Sequence, residues 1–596
     1  VLANEVIYTA FKELNIVKPI KRIWIEDHTE KTILRELKYP RDIKNTVGYY
    51  NQGLARSHSD WLNGINSTVL ISNKADNGNT YNSGRLIVPL VKQVYDRDIE
   101  IENFKKEKYY ELECKINKDN QELKLSFPNF KFKKEEVGKA KDILENLKFS
   151  ELLVEKIEQK ESKRKSKKLF SLASLQKYMF TKYKFKIDET LSLVQSLYEK
   201  KYLTYPRTNS EYMTENEKEK AKDIILSLNK KGYNDISLKE TKDVFDSSKV
   251  DSHSAITPTE YIADIEKLND KERLVYKTVL NRFLSNFCIE DCILSNTIIT
   301  LKLENKNFEN VTTTLKGTTI KKKGYLKYEN DLSEKSIPNF KEGELLAGKF
   351  ELVEKETQPP KKMTQASLID FCLKPFSREV KEDEEDIKDD TKEYKEMLKG
   401  VVLGTEATRA DTIKKIIKVG YIEENNNVLS ITKRGKFFIY MLQTLNINLW
   451  KEASVELSIM LTKLKNEELK IEDVEKYDIE KTKRMIEDSK NIKLDNQILK
   501  LDTSKNNSNV EKIEICPLCG KEVFENQKAF GCSGYKEGCK FTVWKVIASK
   551  KITKSTVKQI LSKGETSKME GFKSKAGKDF SAKLVLKKDG TIGFEF

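Results

Sequence analysis

The stretch YLTYPRTNS, residues 202–210, sets a phenol, an imide ring and a guanidinium side by side at Tyr205, Pro206 and Arg207. A tyrosine hydroxyl is a weak nucleophile near neutrality, because its pKa is about 10. A guanidinium two residues away can hold an anion against it. Pro206 fixes φ and stiffens the link between the two. The segment is either a surface loop or a site, and the choice decides what the chain is. A helical pattern precedes it, DETLSLVQSLYEKKYL at 188–203. That pattern puts Gln195 and Glu199 four apart, on one helix face. Taken alone, Glu199 reads as an ordinary exposed helix residue.

A chain of 596 residues implies several domains. Lysine plus arginine number 110 against 94 acidic residues, and the net charge of +16 favours a polyanionic partner, nucleic acid first. A solvated lysine-rich surface would give the same balance. No apolar run is long enough to cross a membrane and there is no secretion signal, so the expected location is cytoplasmic and reducing. The chain opens at VLANEVIYTAFKEL without a methionine, which reads as the middle of an amphipathic helix in a longer protein. Cys114, Cys288, Cys292 and Cys372 stand apart from one another and are expected to be reduced core thiols.

Patterning along the chain predicts a helix and then a strand, IKRIWIED, before residue 30, and mostly helices over 31–100. Alternation from KYYELECKI to LKLSFPNFKF predicts strands. The basic run QKESKRKSKK, 159–168, reads as an exposed loop. Strands are expected again over 286–355 and helices over 356–500. The run REVKEDEEDIKDDTKEYKE, 378–396, reads as a solvated insertion and DTSKNNSNVEK, 502–512, as a linker. The end, SAKLVLKKDGTIGFEF, predicts two strands about a Lys-Asp-Gly turn.

Cysteines crowd the segment CPLCGKEVFENQKAFGCSGYKEGC. Cys516 and Cys519 form a C-x2-C knuckle, and Cys532 and Cys539 follow with a six-residue gap. Four thiolates at such spacing can surround one structural zinc ion. Disulfides and metal-free thiols are the alternatives. Phe530, Tyr535, Phe541 and Trp544 either stack on single-stranded bases or fill a small core, the latter for at least two of them.

The opening segment has company. LYEKKYLTYPRTNSEYM resembles the active-site segment of the type IA DNA topoisomerases, topoisomerase III above all. DSHSAITPTE is similar to the family's H-x-A-I-x-P-T segment, and QPPKKMTQASLIDF and LGTEATRADTIKKIIKVGYIE resemble two more. ARSHSDWLNGIN matches A-R-x-x-x-D-W-L-x-G-x-N, and the cysteine module with its tail resembles the C-terminal region of bacterial topoisomerase III relatives. One motif would be weak, whereas an ordered set over nearly the whole chain is strong.

The resemblance implies a multidomain α+β toroid: helical base and tyrosine domains, a β-rich arch and a C-terminal zinc-ribbon-like module. The implied parts are the end of a Toprim domain (1–30), base (31–104), arch (105–170), tyrosine domain (171–285), arch again (286–355) and base again (356–500). A linker (501–512), the zinc-ribbon-like module (513–545) and a C-terminal topoisomerase-associated module (546–596) complete it. The implied activity is breakage, passage and rejoining of single DNA strands without ATP, relaxing negative supercoils and decatenating DNA. Tyr205 would attack a phosphodiester to give a 5′-phosphotyrosine. Arg207 would stabilise charge on the phosphate. His253 would hydrogen-bond a phosphate, as the one residue of its motif able to change charge near neutrality. Gln195 and Glu199 would organise the site. Thr204 and Thr208 would donate to phosphate oxygens or satisfy local backbone. Arg85, and Thr408 with Arg409 at a helix start, would contact DNA. His58 reads as structural and His28 as surface.

Departures from the family pattern matter. Asn209 replaces an aspartate. In NSGRLIVPLV, Ile87 and Val88 stand where a glutamine and a hydroxyl are expected, so polar contacts to DNA there are expected to be lost. The acids that hold magnesium in the family are expected to precede Val1, which would leave the chain as given incomplete and inactive alone. The partner is DNA, mainly single-stranded, with no membrane, and the protein is expected to be a monomer. The alternatives are a non-catalytic single-stranded-DNA-binding relative and a conjugative relaxase. The second would need clustered histidines, and His28, His58 and His253 are scattered.

Overall fold

In a computed structural model the chain divides into two compact units, Val1–Asp502 and Thr503–Phe596. The structure describes residues 7, 10, 11, 13–25, 27–379, 398–492, 494, 513–526, 529–574 and 577–596. The opening amphipathic segment falls mostly outside them. So do most of the charged insertion and the 502–512 linker.

In the first unit, the strand expected at 20–27 is reduced to β1 (Lys21–Arg22), paired only with β2 (Arg41–Asp42). Between them Thr29 caps α1 (Glu30–Lys38), its hydroxyl accepting from the Thr32 amide. Two long helices follow, α2 (Val47–Ala75) and α3 (Ile87–Glu102). Gly48 lets the start of α2 approach another helix, since a Cβ there would lie 2.3 Å from the Lys465 carbonyl oxygen.

The expected strands are β3 (Lys108–Lys118) and β4 (Gln121–Lys133), followed by the helix α4 (Val137–Leu147) and then β5 (Glu151–Arg164). The basic run read as a loop begins inside β5. Its backbone pairs residue by residue with β6 (Cys292–Glu304), and its charged side chains are tolerated because they face solvent there. With β7 (Thr312–Lys322), β8 (Leu345–Ala347) and β9 (Lys349–Glu356), the strands form two antiparallel sheets, ordered β4-β3-β9 and β7-β6-β5-β8. Leu112, Cys114, Leu125, Leu152, Leu301 and Phe350 fill one core beneath both. Each sheet joins strands from two distant stretches, 108–164 and 292–356, so the chain passes through this region twice.

Between the passes lie four helices, α5 (Leu172–Tyr183), α6 (Ile187–Glu199), α7 (Lys218–Asn229) and α8 (Asp270–Phe287). Arg282 on α8 clamps both connections to the sheets. It makes a buried bidentate pair with Glu329 at 2.6 and 2.7 Å, and its Nη1 donates to the Lys168 carbonyl at 2.7 Å. A buried pair of this kind is strongly destabilising to break from one side.

The last part holds α9 (Gln365–Leu373), α10 (Arg409–Lys418), α11 (Lys433–Thr444), α12 (Ala453–Lys465) and α13 (Ile471–Lys490). It also holds a hairpin that helical patterning missed, β10 (Ile422–Asn425) and β11 (Val428–Ile431). Asn426 and Asn427 turn it at φ 51° and 62°, the two consecutive positive values that a two-residue hairpin of matching twist requires.

In the second unit, a four-stranded sheet of β12 (Glu514–Ile515), β13 (Glu522–Glu525), β14 (Ala529–Cys532) and β15 (Thr542–Trp544) carries the cysteines. It is followed by the two-residue strands β16 (Val546–Ile547) and β17 (Lys550–Lys551), then α14 (Lys554–Lys563) and β18 (Met569–Lys573). The strands anticipated at the end are β19 (Asp579–Leu586) and β20 (Ile592–Glu595). Ile513, Phe530, Phe541, Val557, Phe572 and Leu584 share one core, so the stretches expected as separate 513–545 and 546–596 modules are packed together. No helix among the described residues is long and apolar enough to cross a membrane.

Candidate active site and cysteine cluster

Two distant segments meet at Tyr205. Helix α6 ends at Glu199, and Lys201 turns the chain with φ 66°. Leu203 then bridges Pro258, the Thr204 amide donates to the Thr257 carbonyl at 3.0 Å, and the Thr259 amide donates to Tyr202 at 3.1 Å. This short antiparallel pairing lays residues 202–204 against 257–259. It brings the Tyr205 and His253 rings to 4.5 Å. Tyr205 and Arg207 are half-buried.

Arg207 Nη1 donates to Gln195 Oε1 at 3.4 Å, and Gln195 Nε2 donates to Glu199 Oε1 at 2.9 Å. The helix-face spacing of Gln195 and Glu199 thus becomes a line of three polar groups. Glu199 is exposed at its end.

His253 behaves differently from its sequence reading. Its Nδ1 is buried without a hydrogen-bond partner. Burial, with the charge of Arg41 adding to it, pushes the imidazole down to about 4. The ring is therefore neutral near pH 7 and does not change charge there.

The threonines take the local option. Thr204 is buried, with its hydroxyl donating to the Ala255 carbonyl at 3.1 Å and accepting from the Thr257 amide at 2.9 Å. Thr208 is buried, donating to the His253 carbonyl at 2.7 Å and accepting from the Ser210 amide. Both hydroxyls hold the two segments together rather than face a phosphate.

Thr408 and Arg409 do start α10, as expected. The Arg409 guanidinium, however, is buried and committed to the Leu403 and Gly404 carbonyls and to Glu406. It shapes the preceding loop instead of offering a free cation. Arg85 pairs with Asp60 at 3.0 Å. Ile87 and Val88 are buried in the main core beside Leu90 and Val91, which accounts for apolar residues at those two positions. His58 bonds Glu475 at the surface, in line with its structural reading.

Sequence reading missed four neighbours of the site. Trp24 donates from Nε1 to the Ser252 carbonyl at 2.8 Å, and its ring lies 5.9 Å from that of His253. Tyr198 packs edge-on to Tyr205 at 5.5 Å, and its hydroxyl meets His28 Nε2 at 2.8 Å. Burial, with Tyr205, Asp27 and Glu199 nearby, pushes Tyr198 up to about 12. Asp27 is fully buried against Lys220. Tyr198 was the one with a sequence signal, standing three residues after Gln195 on the same helix. His28 had none, because its partner lies 170 residues away.

In the second unit the four predicted cysteine sulfurs lie within 4.8 Å of one another. Cys516 and Cys539 are 3.6 Å apart and Cys519 and Cys532 3.3 Å, and the Gly534 amide donates to the Cys532 sulfur at 3.2 Å. The backbone amide of Lys521, with the neighbouring thiols, brings Cys519 down to about 7. Four convergent thiols with amide donors fit a tetrahedral zinc ion. No other group of three or more His, Cys, Asp or Glu among the described residues could hold a metal ion. Phe530 and Phe541 are core, while Tyr535 and Trp544 are exposed. Cys114, Cys288, Cys292 and Cys372 are buried free thiols, as expected.

Tyr205, Arg207 and His253 are gathered in the helical part that lies between the two passes of the chain through the β-region, and the comparisons give the class to which this arrangement belongs. A family profile described as DNA topoisomerase matches residues 44–485, and one described as the C-terminal repeat of topoisomerase matches 538–596. The chain belongs to the DNA topoisomerase family, among its type IA, topoisomerase III-like members. It is 32% identical over 518 residues to DNA topoisomerase 3 of Staphylococcus epidermidis, covering 85% of this chain and 68% of the relative. It is 30% identical over 520 residues to DNA topoisomerase 3 of Staphylococcus aureus MRSA252, with the same coverage. In fold it resembles full-length topoisomerase I of Thermotoga maritima, with a TM-score of 0.60 at 22% identity over 89% of this chain and 81% of that one.

Proposed function

We propose that Tyr205 is the nucleophile of this type IA topoisomerase, breaking one DNA strand and storing the bond as a 5′-phosphotyrosine. Its oxygen attacks phosphorus, the 3′-oxygen leaves with a proton, and the reverse attack reseals the strand. No net hydrolysis occurs and no ATP is consumed. The observation that carries the reading is the 4.5 Å contact of Tyr205 with His253, two residues 48 positions apart, with Arg207 held beside them by Gln195.

In this reading Arg207 stabilises charge developing on the phosphate and Gln195 and Glu199 aim its guanidinium. Neutral His253 hydrogen-bonds a phosphate oxygen or accepts a proton. Thr204, Thr208 and Arg409 act by holding segments in place, and Arg85 and Thr408 border the DNA path. The two-pass sheets support an arch divided between 105–170 and 286–355, around a tyrosine domain at 171–285 and a base at 31–104 and 356–500. The cysteine cluster takes one structural zinc ion. No group of three or more carboxylates that could hold magnesium is present among the described residues. Single-stranded DNA is the substrate, and the enzyme works as a cytoplasmic monomer.

The test is peptide mapping of the adduct that the full-length protein forms with a single-stranded oligonucleotide. Nucleotide should be found on Tyr205, attached through the 5′ end of the downstream fragment. Attachment at another residue, or through a 3′-phosphate, would overturn the reading.

A further inference from the structure

We propose that Lys220 is a positioning residue for cleavage: with Glu217 and Asp27 it fixes the backbone that presents His253 to Tyr205. The proposal rests on the reading of Tyr205 as nucleophile.

Lys220 lies in the first turn of α7, outside every motif the sequence singled out. Its Nζ is 2.7 Å from Asp27 Oδ2 and 3.6 Å from Glu217 Oε1. The side chains of Asp27 and Glu217 are 0% and 4% exposed, and that of Lys220 14%. One ammonium thus stands between two buried carboxylates that come from different parts of the fold. Glu217 carries the effect onward. Its Oε2 accepts from the Thr214 amide at 2.8 Å, the Thr214 hydroxyl at 3.0 Å and the Ser254 hydroxyl.

Ser254 follows His253 directly, and the segment around it is held at every residue. The Ser252 carbonyl takes Trp24 Nε1, the His253 carbonyl takes Thr208, the Ser254 hydroxyl goes to Glu217, and the Ala255 amide donates to Tyr212 at 2.9 Å. The imidazole Nδ1 has no hydrogen-bond partner, so the backbone, with the Tyr205 and Trp24 rings packed against it, sets where the ring lies.

The ion arrangement explains why a cation sits here. Without Lys220, two carboxylates would be buried without their shared counterion, and such groups protonate or move toward water. Glu217 could not move without releasing Ser254. Lys220 already acts on the other carboxylate: against burial, its charge and hydrogen bond bring Asp27 down to about 2. Asp27 also ties the segment before α1 to this network, and that segment supplies Trp24 and His28 to the same site.

The experiment compares Lys220→Met, Lys220→Arg and Ser254→Ala in the full-length protein. Single-turnover formation of the denaturant-stable adduct is followed with a fluorescent single-stranded oligonucleotide, and its affinity is measured by anisotropy. Misplacement of the histidine should slow adduct formation by roughly ten- to hundred-fold in Lys220→Met while affinity stays within about twofold. Lys220→Arg should recover most of the rate. Ser254→Ala, which leaves the ion group intact, should show a smaller loss of the same kind. The crystal structure of Lys220→Met should show the His253 ring displaced from Tyr205. Wild-type rates in Lys220→Met, an arginine variant no better than methionine, or an unmoved His253 ring would overturn the proposal. If Lys220→Met does not fold, a wild-type rate in Ser254→Ala overturns it alone. A wild-type protein that forms no adduct would instead sink the reading of Tyr205, and this inference with it.

Discussion

The tyrosine site and the cysteine cluster are built on opposite plans. The cluster is local: its four cysteines fall within 24 residues, and turns beside neighbouring strands bring their sulfurs together. The tyrosine site is dispersed. Trp24, Gln195, Tyr205 and His253 come from segments up to 229 residues apart, joined by contacts that exist only after the fold forms: the Trp24 indole on the Ser252 carbonyl, Gln195 on Arg207, and the bridge of Leu203 to Pro258. A local site depends on its metal for stability, whereas a dispersed site depends on the surrounding fold for geometry.

The two plans fail differently. Tyr205→Phe removes one oxygen from a site whose geometry is set elsewhere. The denaturant-stable adduct with single-stranded DNA should fall below detection, while oligonucleotide binding measured by anisotropy and the thermal unfolding profile stay close to wild type. A persistent adduct in the Phe variant would mean another nucleophile, and the dispersed site would not be the catalytic one.

Cys516→Ser should do the reverse, damaging a fold and sparing the chemistry. Metal analysis should find one zinc per chain in the reduced wild type and none in the variant. Binding a structural zinc ion contributes about 10 kcal/mol or more in small domains, so the second unit should lose its protease resistance. The first unit has its own cores and should retain its circular dichroism. Joint loss of both units would break the contrast, as would a wild type without zinc.

Arg207→Ala tests how far the dispersed site relies on charge. Removing a donor aimed at a developing oxyanion costs about 10²–10³ in rate. Adduct formation should slow by that order, and Gln195→Ala should reproduce a fraction of it by freeing the guanidinium. An Arg207→Ala rate near wild type would place the phosphate elsewhere.

Legibility followed the same division. The cysteine spacing was readable because the ligands are close in sequence. The paired strands at 108–133 and 579–595 were readable because alternation is a local signal. The hairpin at Asn426 and Asn427 lies between two stretches of helical periodicity, which mask its short strands although its turn residues favour positive φ. In the candidate site, resemblance points to Tyr205, Arg207 and His253, and resemblance with helix spacing to Gln195 and Glu199. Their orientation was not readable. Thr204, Thr208 and Arg409 look like phosphate ligands in sequence, and only tertiary structure shows their polar groups already engaged with backbone. His28, Asp27 and Lys220 carried no signal, since a buried ion pair across 193 residues leaves no periodicity. Most of the charged insertion and all of the 502–512 linker lie outside the described residues.

The smallest expected effect concerns the protonation of His253. Its ring faces Tyr205 and Trp24, with Arg41 as the nearby charge. Burial and Arg41 hold the folded imidazole down to about 4, while an unfolded histidine titrates near 6.5. Between those values the unfolded chain binds the extra proton and the folded chain does not. Stability therefore rises with pH through this window. The histidine's contribution is complete above about pH 6.5, declines on acidification and levels off below about pH 4. In an NMR titration the His253 resonance should stay constant from pH 8 to 5 and move only near pH 4. Arg41→Met should shift that midpoint upward, because it removes a repelling charge. His253→Gln should flatten the acid side of the stability profile between pH 6.5 and 4 relative to wild type, as read from urea midpoints. A midpoint near 6.5 would show the ring in contact with water. The site would then have been gathered without being enclosed, and the histidine could meet the phosphate as a cation.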